Sequence, residues 1–282
     1  MGEQGWQSTP HARQAAPGPR CTKTVTMRRE YIDTMPNLAA TWLSRMPASL
    51  QALRAVQAIP SQCAICGRWP GPRICTDCRR RWSAEQPRCR RCALPLQAPT
   101  GICGACLKQP PSLQRCTAVL DYGYPWQGLI TRYKFDGDLG LVHSLARLMS
   151  AHPGALQCLH DCDALLPMPS SAQRIRERGF DHMALLAKVL ARQSACRVPL
   201  LTQVVQRQHV ELPQHNASRP QRLRQLRGVF SLRDSAAAQV TGQHLLVLDD
   251  VMTTGATLDA LAQCLHKAGA ASVSALVLAR TG

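Results

Sequence analysis

Two hydrophobic rhythms alternate along the C-terminal half of this chain. Near-continuous apolar runs at residues 117–124, 164–168, 244–248 and 274–278 read as buried strands. Between them, apolar residues recur at three- and four-residue steps, predicting helices over 126–135, 140–152 and 183–193. A last helix is marked by Leu258, Leu261, Ala262 and Leu265. Strand and helix alternating at this spacing predict a parallel sheet with helices on both faces. The N-terminal half has no such order. Residues 1–37, rich in Gln, Pro, Thr and Arg, read as a disordered extension, and residues 38–59 as an amphipathic helix interrupted at Pro47.

The most informative stretch is LLVLDDVMTTGAT, residues 245–257, where an apolar strand ends in two acids, a Thr/Gly turn and the start of a helix. Ligands of open α/β sheets sit at such junctions. Asp249 and Asp250 can accept hydrogen bonds from vicinal sugar hydroxyls. The amides of residues 253–257 lie where a helix N-terminus attracts an anion. Gly255 and Ala256 allow close backbone approach, and Thr253, Thr254 and Thr257 add hydroxyl donors. The pattern is neither a Walker loop, since no Lys lies between Asp250 and Thr257, nor a GxGxxG dinucleotide fingerprint.

These thirteen residues resemble the phosphoribosyl diphosphate (PRPP) motif of the type I phosphoribosyltransferases. The resemblance implies that Asp249 and Asp250 are catalytic and bind the ribose hydroxyls, that residues 253–257 wrap the 5′-phosphate, and that Mg²⁺ accompanies the diphosphate. Purine-salvage members carry Asp where this chain has Thr253, so the acceptor stays open.

Cysteine spacing adds a second module. Of 14 cysteines, eight form four CxxC pairs, Cys63/Cys66, Cys75/Cys78, Cys89/Cys92 and Cys103/Cys106, separated by eight, ten and ten residues. Two pairs complete a tetrahedral Cys₄ zinc site, so residues 60–111 read as a structural zinc module holding one or two ions. Whether consecutive pairs share an ion or the pairs interleave is open from spacing. Cys158 and Cys162, flanking His160 and Asp161, form a weaker metal candidate.

The net charge of +17 is concentrated there: residues 61–116 carry ten Lys/Arg against two acids. Arg79–Arg81 and Arg88, Arg90 and Arg91, with Trp69 and Trp82 nearby, suit contact with phosphates and unpaired bases. Two further basic stretches lie in the α/β domain. The strand ending at Pro167 and Pro169 releases a predicted loop with Arg174, Arg176, Arg178 and Gly179, suited to a diphosphate. Residues 207–230, including Arg207 and Arg222, predict a basic flap able to close over a polyanion, with His209 and His215 as weaker acid/base candidates. No apolar run reaches the length of a membrane helix, and the N-terminus lacks a signal-peptide core, so the cytoplasm is the expected compartment.

Together, the PxxCxxC-like opening at Pro60–Cys66, YKFDGD, PMP with RERGF, an Arg/Gln-rich stretch ending in GVF, and DDVMTTGAT resemble the ComF competence family over roughly residues 60–280. Gln225 stands where Asn is expected. The resemblance implies a type I phosphoribosyltransferase domain over 117–282, PRPP as ligand, and single-stranded DNA and DNA-uptake proteins as partners in natural transformation. A non-enzymatic adaptor keeping the fold is the alternative.

Overall fold

A computed structural model of the chain describes residues 61–98, 101–195, 197–208, 226 and 228–282. The expected N-terminal extension and the helix over 38–59 lie outside the described residues. Residues 60–282 form one compact unit.

Four strands make one all-parallel sheet: β1 (Arg115–Asp121), β2 (Ala164–Pro167), β5 (His244–Met252) and β6 (Ser272–Arg280), in the order β1-β6-β5-β2. Register is set by burial. Val247 pairs with Ala275 and Leu248 with Leu276, so the apolar run of β5 is enclosed on both faces. A short antiparallel ribbon, β3 (Val205–Arg207) and β4 (Phe230–Leu232), forms the base of the predicted flap. The flap's interior, with Arg222, His209 and His215, lies outside the described residues.

The helices follow the predicted periodicity closely. In chain order the domain has α3 (Trp126–Phe135), α4 (Val142–Ser150), α5 (Pro153–His160), α6 (Ala172–Arg178), α7 (His182–Gln193) and α8 (Ala256–Lys267), preceded by two helices of the zinc module, α1 (Thr76–Trp82) and α2 (Gly104–Lys108). The single helix expected over 140–152 is instead a 3₁₀ turn followed by α4, and Pro153 at the first turn opens α5, capped by His152 Nδ1 accepting from the Ala155 N–H at 3.3 Å. The loop expected after Pro169 is also corrected. Ser171 caps the N-terminus of α6, and Gly179, left-handed at φ 78°, ends it, so the arginines ride on a helical turn.

The zinc module shows an internal repeat invisible in its composition. Each half is a CxxC turn closed by a backbone hydrogen bond, Gly67 N–H to Cys63 O at 2.9 Å and Ala93 N–H to Cys89 O at 2.7 Å, followed by a second CxxC that begins at a helix cap, Cys75 for α1 and Cys103 for α2. The module shares the domain's core: Ile74 and Ala93 are buried with Leu113, Leu120 and Trp126. Trp126 Nε1 donates to Trp82 O at 2.7 Å, and Arg73 and Arg132 both donate to Asp138.

Candidate functional site

The acids close β5 at its carboxyl end, and strand alternation turns them to opposite faces. Their environments differ sharply. Asp250 is buried and bound twice: Lys134 Nζ lies 2.9 Å from Oδ2 and 3.0 Å from Oδ1, and His182 Nε2 lies 2.8 Å from Oδ2. Because the Arg178 guanidinium, 3.0 Å from His182 Nδ1, can only donate, Nδ1 accepts and Nε2–H donates to Asp250. Tyr133 Oη fixes the same residue by donating to His182 O at 2.6 Å. Burial alone would raise the Asp250 carboxyl. His182 and Lys134 override it and hold the group well below the usual carboxylate range.

Asp249 is half-buried and has the opposite balance. Burial, then the adjacent Asp250 charge, push it up, against the pull of Lys134 and Arg207. A carboxyl held in this state gains from a cation or from hydroxyl donors arriving beside it.

Past the acids, Gly255 takes a left-handed φ of 76° as the N-cap of α8, with no side-chain cap. The backbone angle selects glycine there; the Met252 Cε, 2.3 Å from where a Cβ would lie, is the mobile end of a side chain that could give way. The first-turn amides of α8 therefore open onto the turn of Thr253 and Thr254, with Ala256 buried and Thr257 half-buried behind it. Met252 O, at the start of the turn, accepts from Arg280 at 3.4 Å. Arg280 is buried without a carboxylate within 4.0 Å among the described residues, and also donates from Nε to Cys92 O at 3.0 Å. One guanidinium thus ties the Thr/Gly turn to the second cysteine cluster.

Of the five arginines expected at the site, Arg174, Arg178 and Arg207 converge on it, and Arg222 lies outside the described residues. Arg207, from β3, lies over the Phe230 ring at 5.5 Å and donates to Pro169 O at 3.5 Å. Burial lowers its pKa first, and it feels Arg174 and Arg178 as like charges and Asp249 and Asp250 as attractors. Arg178 stacks on Phe135 at 4.9 Å, while Arg176 is exposed. Gly179 ends α6 in the left-handed conformation, and no described atom lies within 4 Å of where a Cβ would sit, so the backbone there is open to approach. Sequence reasoning missed Lys134, His182, Tyr133 and Phe135. Each lies in a motif already quoted, YKFDGD or the residues just after RERGF, but nothing local shows that they meet Asp250.

The eight module cysteines form two clusters, Cys63/Cys66/Cys75/Cys78 and Cys89/Cys92/Cys103/Cys106, each with its sulfurs within 4.8 Å of one another. Consecutive pairs therefore share a site, and the interleaved pairing is excluded. Sulfur separations of 3.8 Å for Cys66–Cys75 and 3.6 Å for Cys92–Cys103 match the ~3.8 Å that a tetrahedron with ~2.3 Å zinc–sulfur bonds requires. Burial resists ionisation, yet backbone N–H donors of Cys66, Cys75 and Ile65 bring Cys63 down to about 6, while burial pushes Cys78 up. Four thiolates so close need a divalent cation, and the residues fit structural zinc. Cys158 and Cys162 belong to no such cluster among the described residues.

Comparison with known proteins agrees with both halves. The family model for the phosphoribosyl transferase domain matches residues 183–282, and that for the double zinc ribbon domain matches residues 56–107. A protein of Escherichia coli named DNA utilization protein YhgH is 33% identical over 251 residues, covering 88% of this chain and 99% of that protein. Competence protein F of Haemophilus influenzae is 30% identical over 210 residues, covering 73% and 90%. Competence protein ComFC of Bacillus subtilis is 28% identical over 223 residues, covering 75% and 86%. No helix among the described residues is long and apolar enough to cross a membrane.

Proposed function

The chain belongs to the ComF family, with a type I phosphoribosyltransferase-like domain and a double zinc ribbon, and from that premise we propose that it binds PRPP with Mg²⁺ as a phosphoribosyltransferase acting in natural transformation. The supporting observation is the convergence of Arg174, Arg178, Arg207 and Lys134 on the Asp249/Asp250 pair beside the uncapped start of α8.

In this reading the two acids divide the work. Asp250, held by Lys134 and His182, is a rigid base beneath the site, while Asp249 accepts the ribose hydroxyls. The amides and hydroxyls of Thr253, Thr254, Gly255, Ala256 and Thr257 take the 5′-phosphate, and Arg174, Arg178 and Arg207 hold the diphosphate. Mg²⁺ would accompany the diphosphate, with Asp249 as the residue placed to hold it, and would supply charge neutralisation to the leaving group. The acceptor attacks the anomeric carbon as the bond to diphosphate loosens, and positioning and charge supply most of the acceleration. Arg222 would close from the flap. The acceptor class is open, since Thr253 replaces the acid of purine-salvage enzymes.

The names of the relatives, competence and DNA utilization, support a role with internalised single-stranded DNA and DNA-uptake proteins in the cytoplasm. A non-enzymatic adaptor is the second reading, favoured by exposed Trp69 and Tyr124 on the ribbon side of the unit. Calorimetry with PRPP and Mg²⁺ tests the first. Binding by the wild type and loss of at least about tenfold in affinity for Asp249→Asn are expected. Equal affinities would remove Asp249 from the ribose site, and no binding by a folded wild type would leave the adaptor.

A further inference from the structure

The amino ends of the strands, opposite the acids, enclose a cavity of about 720 Å³ between the second zinc ribbon and the sheet. Arg115 opens β1 there, His244 opens β5, and Arg90 and Arg91 reach in from the turn of the Cys89/Cys92 pair. Gly101, left-handed at φ 78°, has the Arg90 guanidinium 3.4 Å from where a Cβ would stand. Ile102 supplies apolar wall. Asp161 is the one carboxylate lining the cavity, and Gln157 donates to it at 2.6 Å. None of Arg90, Arg91 and Arg115 has a carboxylate within 4.0 Å among the described residues.

Charge arithmetic makes this place unusual. A zinc-loaded Cys₄ cluster carries a formal 2 − 4 = −2, so three guanidiniums against that cluster and Asp161 leave neutrality before His244 is counted. The charges are nevertheless separated. The thiolates are buried in their own cluster, whereas Arg90 and Arg115 line a concave, part-apolar space large enough for a nucleotide unit, and Arg91 lines it while donating from Nη1 to Leu113 O at 2.9 Å. Three other arginines of the module are engaged elsewhere. Arg88 is paired with Asp121 at 2.7 Å, Arg80 with Asp77 at 2.8 Å, and Arg81 lies over Trp82 at 5.2 Å.

We infer that this cavity is a binding site for unpaired DNA, in which Arg90, Arg91 and Arg115 hold backbone phosphates and the apolar wall at Ile102 receives a base. The inference deepens the single-strand reading of the proposed function and is independent of the ribose-phosphate site, which the length of β5, roughly 30 Å, separates from it. The strand would therefore be held at the far end of the sheet from the acids.

The test is fluorescence anisotropy of the full zinc-loaded chain with a labelled oligothymidylate of about 20 nucleotides. Arg90→Gln combined with Arg115→Gln should weaken binding about tenfold and reduce the salt slope by about 1.4, while Lys188→Gln combined with Arg192→Gln, both exposed on α7, should change it less than about twofold. The reverse ranking overturns the cavity while leaving single-strand binding intact, whereas a wild type that does not bind sinks both. Thymidine monophosphate competing as strongly as the strand, site for site, would make this a mononucleotide pocket and overturn the strand assignment. Photo-crosslinking of an iodouracil strand to the wild type needs no folded variant: adducts on the peptide containing Ile102 support the site, and adducts confined to α1 overturn it.

Discussion

Replacing Asp249 by Asn should stabilise the protein, in a pH window the site itself sets. Asp249 is displaced from 3.8 to about 7 by burial and by Asp250, with Lys134 and Arg207 only partly compensating. At ~1.4 kcal/mol per tenfold change in proton affinity, the ionised form opposes folding by at most roughly 4 kcal/mol. Asp249 is part-exposed, so solvent screening brings the recoverable share to about 1–2 kcal/mol. Since the folded pKa lies above the unfolded one, the folded protein binds more protons between about pH 4 and 7, and wild-type stability falls as pH rises through that interval. The variant escapes this loss. Thermal unfolding by circular dichroism should show equal Tm values near about pH 4 and a variant Tm higher by roughly 2–6 °C at about pH 8. A variant less stable at about pH 8, or a difference independent of pH, would refute the claim that Asp249 is held against its own ionisation. The same protein is expected to lose PRPP affinity, which would separate a binding defect from unfolding.

Lys134→Met should cost about 3 kcal/mol, because it strands a buried carboxylate, and adding Asp250→Asn should recover more than half of that; additive losses would deny the pairing. The wild-type contribution of Asp250, whose pKa is lowered, is present above about pH 4 and should vanish as pH falls below it. Native mass spectrometry should find two zinc ions per chain, and Cys92→Ser should leave one. Stripping zinc should lower Tm by roughly 5 °C or more and weaken PRPP binding through Arg280; retained affinity in a stripped, folded protein would break that link.

Local order was legible in residue order alone. The apolar run, the acids, the glycine and the helix of residues 245–257 are neighbours in the chain, so their geometry follows from strand and helix periodicity. The same holds for the CxxC turns, where two residues of spacing bring both sulfurs to one point. The base of the site was not legible. Lys134 and Asp250 stand 116 positions apart, His182 and Asp250 68, and their meeting depends on the order β1-β6-β5-β2, which is not the order of the chain.

The sequence by itself determined which groups the protein carries: paired acids, a Thr/Gly turn before a helix, Arg-rich segments and eight thiols at CxxC spacing. The tertiary structure decided how those groups are spent. It paired consecutive CxxC turns, committed Asp250 to Lys134 and His182 while leaving Asp249 half-buried and pushed toward its neutral form, set Arg174 and Arg178 on a helical turn, and joined the Thr/Gly turn to a zinc ribbon through Arg280. The reason is physical. Periodicity reports each residue's local backbone, whereas a charge's role depends on which other charges folding brings within a few ångströms and how much water it excludes.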